Sequence, residues 1–329
     1  MSAAGAFILG CEGPDLTAVE AAFFREADPW GFILFARNVD TPDRLRRLTS
    51  DLRAAVGRDA PILVDQEGGR VQRLGPPFWT QWQPPLDQME RARDPVRVME
   101  LRAALIAAEL RDVGIDVNCT PTADIAGSQT HPFLRNRCYG DDVDTVIARA
   151  RANAAGCLRG GVLPVIKHMP GHGRAMVDSH HRLPRADVAL ADLRATDFAV
   201  FRALNDLPLG MSAHVVYPAL SEAPGTTSPE VHAEIRDHIG FDGFLMTDDI
   251  SMDALPGDLA ARCQGAIAAG CEAILHCNGD LGEMRLVAEI CPRLDGAALA
   301  RADRALAARP AAGQLDIPAA RAEFQALAA

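Results

Sequence analysis

The chain has 329 residues, 48% of them hydrophobic, and its 33 Lys and Arg against 44 Asp and Glu give a net charge of −11. Because nucleic-acid surfaces need a local excess of basic residues, which this chain lacks, we expect no nucleic-acid partner. No apolar stretch approaches the ~18 residues of a membrane span, and the N-terminus lacks the basic and apolar regions of a signal peptide. We therefore expect a cytoplasmic protein with no membrane partner. The sequence leaves the oligomeric state open, a monomer included.

Short apolar runs recur along the chain, and a helical pattern follows each of them. The strands are predicted at 6–10, 31–35, 61–64, 116–119, 163–166, 209–213, 243–246 and 273–276. The helices are predicted at 16–26, 42–56, 96–113, 145–159, 193–205, 229–239, 259–269 and 283–290. Eight β/α repeats with continuously apolar strands favour an α/β fold of the (β/α)8 TIM-barrel type, with a doubly wound parallel sheet as the alternative.

The remainder of the chain supports a single domain over 1–329. Residues 295–329 are rich in Ala, Arg and Leu and predict a helical C-terminal extension, and no low-complexity linker or second core is visible. The eight cysteines form no C-x-x-C pair. Several lie in apolar runs, where a cysteine acts as a small hydrophobe, so we expect free thiols rather than a disulfide framework.

Charged and titratable residues follow five of the predicted strands. They are Asp65, Glu67 and Arg73 after the third strand, Asp124, Arg135 and Arg137 after the fourth, Lys167 and His168 after the fifth, His214 after the sixth, and Asp248 and Asp249 after the seventh. In a barrel these strand ends meet at one mouth, where the active sites of this fold lie. We expect either Asp248 or Asp249 to serve as a nucleophile or metal ligand and the other to cap the following turn.

The loop after the fifth predicted strand contains Asp178 and His180, two residues apart. In an extended loop such residues point to the same side, so the carboxylate can orient the imidazole as a general acid/base. The alternative is a solvated surface loop. The four histidines nearby could instead bind a metal with Asp178, but no H-x-H or H-E-x-x-H pattern is present, and we expect no metal. These histidines are His168, His172, His180 and His181.

Several segments resemble motifs of glycoside hydrolase family 3. The segment LPVIKHMPGHG followed by DSHHRLP resembles that family's K-H-F-P-G-H-G and D-S-H signature. Further matches are GFILFARNVD, VDQEGGRVQRL, RNRCYGDD, MSAHVVYPAL and IGFDGFLMTDDISM, which together span most of the chain. The single-domain bacterial branch of that family consists of β-N-acetylhexosaminidases, which are TIM barrels.

The resemblance implies a role for each matching residue. Asp248 would be the nucleophile that forms a glycosyl-enzyme, and His180 would be the general acid and then the general base, held by Asp178. The residues that would contact the sugar hydroxyls and acetamido group are Asp65, Arg73, Arg137, Lys167 and His168. His172 would have a structural role in its loop. The reaction would need no cofactor, and the implied substrate is a saccharide with GlcNAc linked to 1,6-anhydro-MurNAc.

The chain departs from the family pattern at a few positions that carry none of the proposed chemistry. Met169 replaces a common aromatic residue, Arg174-Ala175 stands where Asp-Thr is frequent, and Cys138-Tyr139 stands where Ser-Phe is usual. Three alternatives remain open from the sequence. They are a glycoside phosphorylase that uses phosphate as the acceptor, a metal-dependent hydrolase, and a sugar-binding barrel without catalytic activity.

Overall fold

Eight parallel strands form a closed barrel in which each strand pairs with the next and the last pairs with the first. The strands are β1 Gly5–Leu9, β2 Pro29–Leu34, β3 Ile62–Val64, β4 Val117–Asn118, β5 Leu163–Met169, β6 Leu209–Ser212, β7 Phe244–Asp249 and β8 Ala273–His276. This computed structural model describes residues 3–128, 130–174, 183–311 and 315–328. The prediction of a (β/α)8 TIM barrel is therefore confirmed, and the doubly wound sheet is excluded.

Helices connect the strands and pack around the outside of the barrel. They are α1 Ala18–Ala27, α2 Pro42–Val56, α3 Pro85–Arg91, α4 Pro95–Asp112, α5 Pro132–Arg135, α6 Val143–Arg159, α7 Leu190–Ala195, α8 Asp197–Ala203, α9 Pro229–Ala233, α10 Leu259–Ala269, α11 Leu281–Ile290, α12 Gly296–Ala307 and α13 Ile317–Leu327. Two of them, α3 and α5, lie in the connections after β3 and β4, in stretches where the sequence predicts no helix. Both connections lead to the mouth of the barrel, where loops carry function in this fold.

The apolar strands supply two separate layers of core because successive side chains of a strand point to opposite faces. One face fills the barrel interior with residues such as Ile8, Ile33, Leu163 and Met246. The other face packs against the surrounding helices. Burial on both faces explains why these strands read as continuous apolar runs and not as alternating patterns.

Helix α2 shows how local sequence sets the bounds of an element. Thr41 caps its first turn, with Oγ1 accepting a hydrogen bond from the backbone N of Arg44, and Pro42 occupies the first helical position. Gly57 ends the helix at φ 65, a left-handed conformation that favours glycine. The predicted range of 42–56 matches α2 at both ends.

Two predicted helices differ from the observed ones. The range 193–205 contains a break at Thr196, whose hydroxyl donates to the carbonyl O of Asp192 at 2.7 Å and so competes with helical hydrogen bonding. The range 229–239 begins as α9 and continues as a π-helical turn over Glu234–His238. Strand β5 is also longer than predicted, since it continues through Lys167 and His168 to Met169.

The predicted helical C-terminal extension is present as α12 and α13. Ala302 and Ala305 of α12 pack into the same cluster as the residues of the barrel interior. Phe324 of α13 lies edge-on to Trp82, with ring centroids 5.5 Å apart. Over the described ranges, no helix is long and apolar enough to cross a bilayer. All eight cysteines are buried, free thiols.

Candidate active site

A cleft of about 280 Å³ opens where the carboxyl ends of the barrel strands meet. This volume is near the lower limit of about 300 Å³ for small-molecule pockets, so the cleft suits a ligand of monosaccharide size. Six of the eight predicted site residues line it, namely Asp65, Arg73, Arg137, Lys167, His168 and Asp248. These residues come from the ends of β3, β5 and β7 and from the connection after β4.

Asp248 lies near the end of β7, and its side chain is partly exposed in the cleft. Its Oδ1 accepts a hydrogen bond from the backbone N of Asp249 at 2.8 Å. Among the described residues Oδ2 accepts none, which leaves that oxygen available to a ligand. Burial opposes ionisation, but the neighbouring His168 and His214 lower the pKa of Asp248, so the carboxylate is charged at neutral pH.

Asp249, next in the chain, has the capping role expected for one residue of the pair. Its Oδ1 accepts hydrogen bonds from the backbone N and the Oγ of Ser251, at 3.1 and 2.8 Å. The same oxygen accepts from the backbone N of Cys277 at 3.3 Å. These bonds hold the turn after β7 and leave Asp248 as the carboxylate of the pair that faces the ligand.

Lys167 is the centre of a buried charge network. Its Nζ lies 2.8 Å from Asp65 Oδ1 and 2.6 Å from Glu67 Oε1, and the lysine side chain is only 2% exposed. Arg137 donates to both oxygens of Glu67, from Nη2 at 2.8 Å and from Nε at 2.9 Å. Glu67 therefore holds two cations in place at the floor of the cleft, a role that the sequence did not assign to it.

This network fixes the charge of its members. Burial by itself would raise the pKa of Glu67, but Arg137 and Lys167 outweigh it and lower that pKa from 4.5 to about 2. Burial also tends to raise the pKa of Asp65, but Lys167 and Arg73 outweigh it and hold that pKa well below its usual range. Burial tends to lower the pKa of Lys167, but the two carboxylates raise it overall. All these groups are charged at neutral pH and form preorganised, charge-assisted hydrogen-bonding partners for a polar ligand.

Arg73 brings a second guanidinium group to the cleft. Its Nη2 lies 3.2 Å from Asp65 Oδ2, and its guanidinium carbon is 5.1 Å from the ring centroid of Phe35. The Asp65 side chain is 17% exposed, so its carboxylate is fixed by two cations and still reachable from the cleft. An anchored carboxylate of this kind is well suited to accept hydrogen bonds from neighbouring hydroxyl groups.

The loop after β3 is held in place by polar side chains beneath it. The side chain of Gln66 accepts from the backbone N of Arg73 at 2.8 Å, and its backbone exchanges hydrogen bonds with the side chain of Asn118. Buried Arg102 donates to the carbonyl O of Glu67 at 2.6 Å. At Gly68, with φ 101, a Cβ would collide with the Arg102 guanidinium group, which explains the glycine.

His168 and Asp124 form the second polar pair of the cleft. His168 Nδ1 and Asp124 Oδ2 are 2.7 Å apart and both side chains are buried. Asp124 Oδ1 also accepts from the backbone N of His172 at 2.6 Å. Burial tends to raise the pKa of Asp124, but His168 outweighs it and lowers that pKa overall. The charged carboxylate of Asp124 therefore orients the His168 imidazole, which faces the cleft.

His214 supports the turn that carries the two aspartates. Its Nε2 is 2.9 Å from the carbonyl O of Asp249, and its Nδ1 is 2.7 Å from Thr226 Oγ1. Burial lowers the pKa of His214, which favours a neutral ring with its proton on Nε2 donated to that carbonyl. His214 is therefore a positioning residue beside Asp248, and the sequence indicated it only by its place after the sixth strand.

Asp178 and His180 lie outside the described residues, so their predicted role stays a prediction.

Three residues with clear roles in the described cleft were missed as site residues, namely Phe35, Glu67 and Asp124. Glu67 and Asp124 each follow a predicted strand, which was a usable signal. Phe35 carried no such signal, because an aromatic residue at a strand end is usually part of the core.

A (β/α)8 barrel whose strand ends converge on a small polar cleft, with a charged carboxylate facing fixed cations, defines an enzyme that acts on a small hydroxylated molecule. Residues 19–305 match the family described as "Glycosyl hydrolase family 3 N terminal domain". This chain is a member of glycosyl hydrolase family 3, and the predicted family resemblance is confirmed. It is therefore a glycoside hydrolase.

Named relatives support this assignment at the level of sequence. A beta-hexosaminidase from Bordetella avium is 37% identical over 284 residues, covering 83% of this chain and 81% of the relative. A beta-hexosaminidase from Methylococcus capsulatus is 38% identical over 272 residues, covering 81% of this chain and 80% of the relative.

A solved structure supports the fold over its whole length. The crystal structure of NagZ from Neisseria gonorrhoeae in complex with N-trifluoroacetyl-D-glucosamine is similar to this chain with a TM-score of 0.88 at 29% identity. The match covers 100% of this chain and 99% of that chain.

Proposed function

We propose that this protein is a retaining exo-β-N-acetylglucosaminidase that removes terminal β-linked GlcNAc through a covalent intermediate on Asp248. The observation that carries the proposal is the position of Asp248. Its carboxylate is ionised, has one oxygen free of hydrogen bonds to described residues, and faces the same cleft as Asp65, Arg73 and Lys167. A fixed, charged carboxylate at the bottom of a small polar cleft meets the requirements for a glycosidase nucleophile.

The sugar would be bound by the charge network described above. Asp65 would accept hydrogen bonds from sugar hydroxyl groups, while Arg73, Arg137, Lys167 and His168 would donate to hydroxyl or acetamido oxygens. Two comparisons support an amino sugar as ligand, since close relatives are named beta-hexosaminidases and a structural neighbour was solved with an N-acylated glucosamine.

The proposed reaction has two steps. In the first, an Asp248 oxygen attacks the anomeric carbon while His180 donates a proton to the glycosidic oxygen, so that the bond to the aglycone breaks. In the second, His180 takes a proton from water as the water oxygen attacks the anomeric carbon and releases Asp248. Asp178 would hold the imidazole and stabilise its charged form. The dyad thus replaces the second carboxylate of the usual retaining pair.

The proposed substrate, cellular location and domain extent rest on the family resemblance. They are a GlcNAc-1,6-anhydro-MurNAc substrate derived from peptidoglycan recycling, a cytoplasmic location, and one catalytic domain over residues 1–329. The packing of Ala302 and Ala305 with the barrel interior supports the inclusion of α12 in that domain. Product analysis with defined muropeptides tests the substrate directly, and release of terminal GlcNAc with retained β-configuration is the expected result.

The covalent step is tested by trapping the intermediate. A 2-fluoro or 5-fluoro glycosyl inactivator should label the wild-type protein once, and fragmentation of the labelled peptide should place the sugar on Asp248. The variant Asp248→Asn should take up no label. The matched control is Asp249→Asn, which alters the adjacent carboxylate of the same peptide and should still be labelled at Asp248.

Two outcomes would refute the nucleophile assignment. One is a label on a residue other than Asp248 in the wild-type protein. The other is the absence of any label in a protein that hydrolyses 4-nitrophenyl β-GlcNAc normally. Circular dichroism and thermal unfolding of each variant should accompany the measurement, so that a loss of label is not confused with a loss of fold.

A further inference from the structure

The regular pairing of β6 with β7 ends before the aspartate pair at the end of β7. The last residues of these two strands in register are Met211 and Met246. Asp249 lies three residues further along β7, and the register of β7 with β8 shifts within the same stretch. Here the carbonyl O of Asp249 accepts a hydrogen bond from a side chain, Nε2 of His214 at 2.9 Å. His214 thus supplies a donor where the ladder between β6 and β7 has ended.

Two hydroxyl groups extend this contact into the protein. Thr226 Oγ1 lies 2.7 Å from His214 Nδ1 and 2.8 Å from Ser212 Oγ. The residues Ser212, His214 and Thr226 are each at most 2% exposed. Thr226 lies in a short helical turn over Gly225–Thr227, whose first backbone N donates to the carbonyl O of Val215 at 2.8 Å. Ser212, Thr226 and His214 therefore form a buried hydrogen-bond chain that leads to the end of β7.

The acceptors along this chain fix the direction of each hydrogen bond. A carbonyl oxygen can only accept, so His214 carries a proton on Nε2. Burial lowers the pKa of His214, so the ring is neutral and its Nδ1 accepts from the Thr226 hydroxyl. That hydroxyl has a single proton, and its alternative acceptor, the carbonyl O of Ala213, is farther away at 3.2 Å. Ser212 therefore donates to Thr226, and every donor of the chain points towards β7.

The end of the chain is coupled to Asp248 through one residue. Asp249 is held by His214 at its carbonyl O and by Ser251 and the backbone N of Cys277 at its carboxylate. Its own backbone N donates to Asp248 Oδ1 at 2.8 Å. Because this bond orients the Asp248 carboxylate, the direction of that carboxylate depends on the segment that His214 fixes.

We propose that Thr226 is a positioning residue for the reaction of Asp248, because its hydroxyl anchors the His214 ring that holds the end of β7. The inference rests on the proposed function, in which Asp248 is the nucleophile. Without the hydroxyl, His214 Nδ1 has no donor among the described residues, and the ring is held at one nitrogen only. Asp248 then leaves the attack geometry, for which a displacement of about 1 Å can cost 10²-fold in rate.

The variant Thr226→Val tests the proposal, since it replaces the hydroxyl by a methyl group. On 4-nitrophenyl β-GlcNAc we expect kcat and kcat/KM to fall together by roughly 10-fold, with KM changed less than about 2-fold, because the sugar-binding side chains stay in place. The rate at which a fluoro glycosyl inactivator labels Asp248 should fall in the same proportion. Thr226→Ser keeps the hydroxyl and should restore these rates.

The matched control is Thr227→Val, which changes the adjacent threonine of the same turn. The Thr227 hydroxyl donates to the carbonyl O of Pro224 at 3.2 Å and has no part in the chain to His214. This control should keep the wild-type kcat. Ser212→Ala removes the first donor of the chain and should lower kcat in the same direction as Thr226→Val, but less.

A wild-type kcat for Thr226→Val overturns the positioning role. An equal loss in Thr226→Ser and Thr226→Val overturns it as well, because the hydroxyl would then not be the group that matters. Thermal unfolding verifies the fold of each variant, and Thr226→Ala takes the place of Thr226→Val if the latter does not fold. Failure of the proposed function gives a different result, namely a wild-type protein that is labelled at a residue other than Asp248.

Discussion

Lys167 and Glu67, a hundred residues apart in the chain, meet at the floor of the cleft with Nζ 2.6 Å from Oε1. The barrel creates this pair because β3 and β5 end at the same mouth, separated only by β4. Removal of one partner of a buried ion pair leaves the other charge uncompensated in a low-dielectric site. The pair therefore ties the stability of the fold to the charge distribution of the candidate active site.

We predict that Glu67→Gln destabilises the protein by about 3 kcal/mol or more, because it leaves Lys167 and Arg137 buried without their carboxylate. Urea unfolding at pH 7 measures the change in the free energy of unfolding. The matched control is Glu222→Gln, which breaks a solvent-exposed pair with Arg185 and should change the free energy of unfolding far less. Equal effects of the two substitutions would contradict the role assigned to Glu67.

We predict that acid removes the stability contributed by Glu67. The pKa of Glu67 is about 2 in the folded protein, below the ordinary value of 4.5, so its contribution is fully present above pH 4.5 and is lost as the pH falls towards 2. The difference in unfolding free energy between the wild type and Glu67→Gln should therefore shrink between pH 5 and pH 3. A difference that stays constant over this range would mean that Glu67 does not titrate as described.

We predict that Arg73→Lys lowers kcat/KM for aryl β-GlcNAc roughly 10- to 100-fold, because the ammonium group cannot reproduce the planar donor geometry that Asp65 and Phe35 fix. Steady-state kinetics on 4-nitrophenyl β-GlcNAc measures the loss. Arg46→Lys, on an exposed face of α2, should leave kcat/KM unchanged. A wild-type kcat/KM for Arg73→Lys would remove Arg73 from the sugar-binding set.

We predict that the effect of His180→Gln depends on the leaving group. A general acid contributes about 10²- to 10⁴-fold where the leaving oxygen needs a proton, and far less where the aglycone is a stable phenolate. The variant should lose most activity on alkyl β-GlcNAc substrates and much less on 2,4-dinitrophenyl β-GlcNAc. Asp178→Asn should show the same pattern more weakly. A uniform loss over all leaving groups would speak against His180 as the acid.

We predict that inorganic phosphate neither raises the turnover rate nor yields a sugar 1-phosphate. Three of the cations that line the described cleft are already paired with carboxylates, Lys167 with Asp65 and Glu67, Arg137 with Glu67, and Arg73 with Asp65. Phosphate would therefore have to compete with these fixed carboxylates. Product analysis with and without phosphate separates hydrolysis from phosphorolysis, and detection of GlcNAc 1-phosphate would favour the phosphorylase.

Features governed by neighbouring residues were predictable from the sequence. The start of α2 follows from Thr41 and Pro42, and its end follows from Gly57, because capping involves only residues within one helical turn. The eight-strand barrel was predictable for the same reason, since each β/α repeat carries its own apolar strand and helical period. The family signature also identified six of the polar residues that line the cleft.

Only the tertiary structure decided which charges neutralise one another. Nothing in the local sequence pairs Lys167 with Glu67, or His168 with Asp124 forty-four residues earlier. These contacts depend on barrel closure, on strand register and on the loop after β3 that Arg102 holds from below. The sequence determines which side chain stands at each strand end. The partner and the pKa of that side chain depend on the neighbouring charges and the burial that result from the fold.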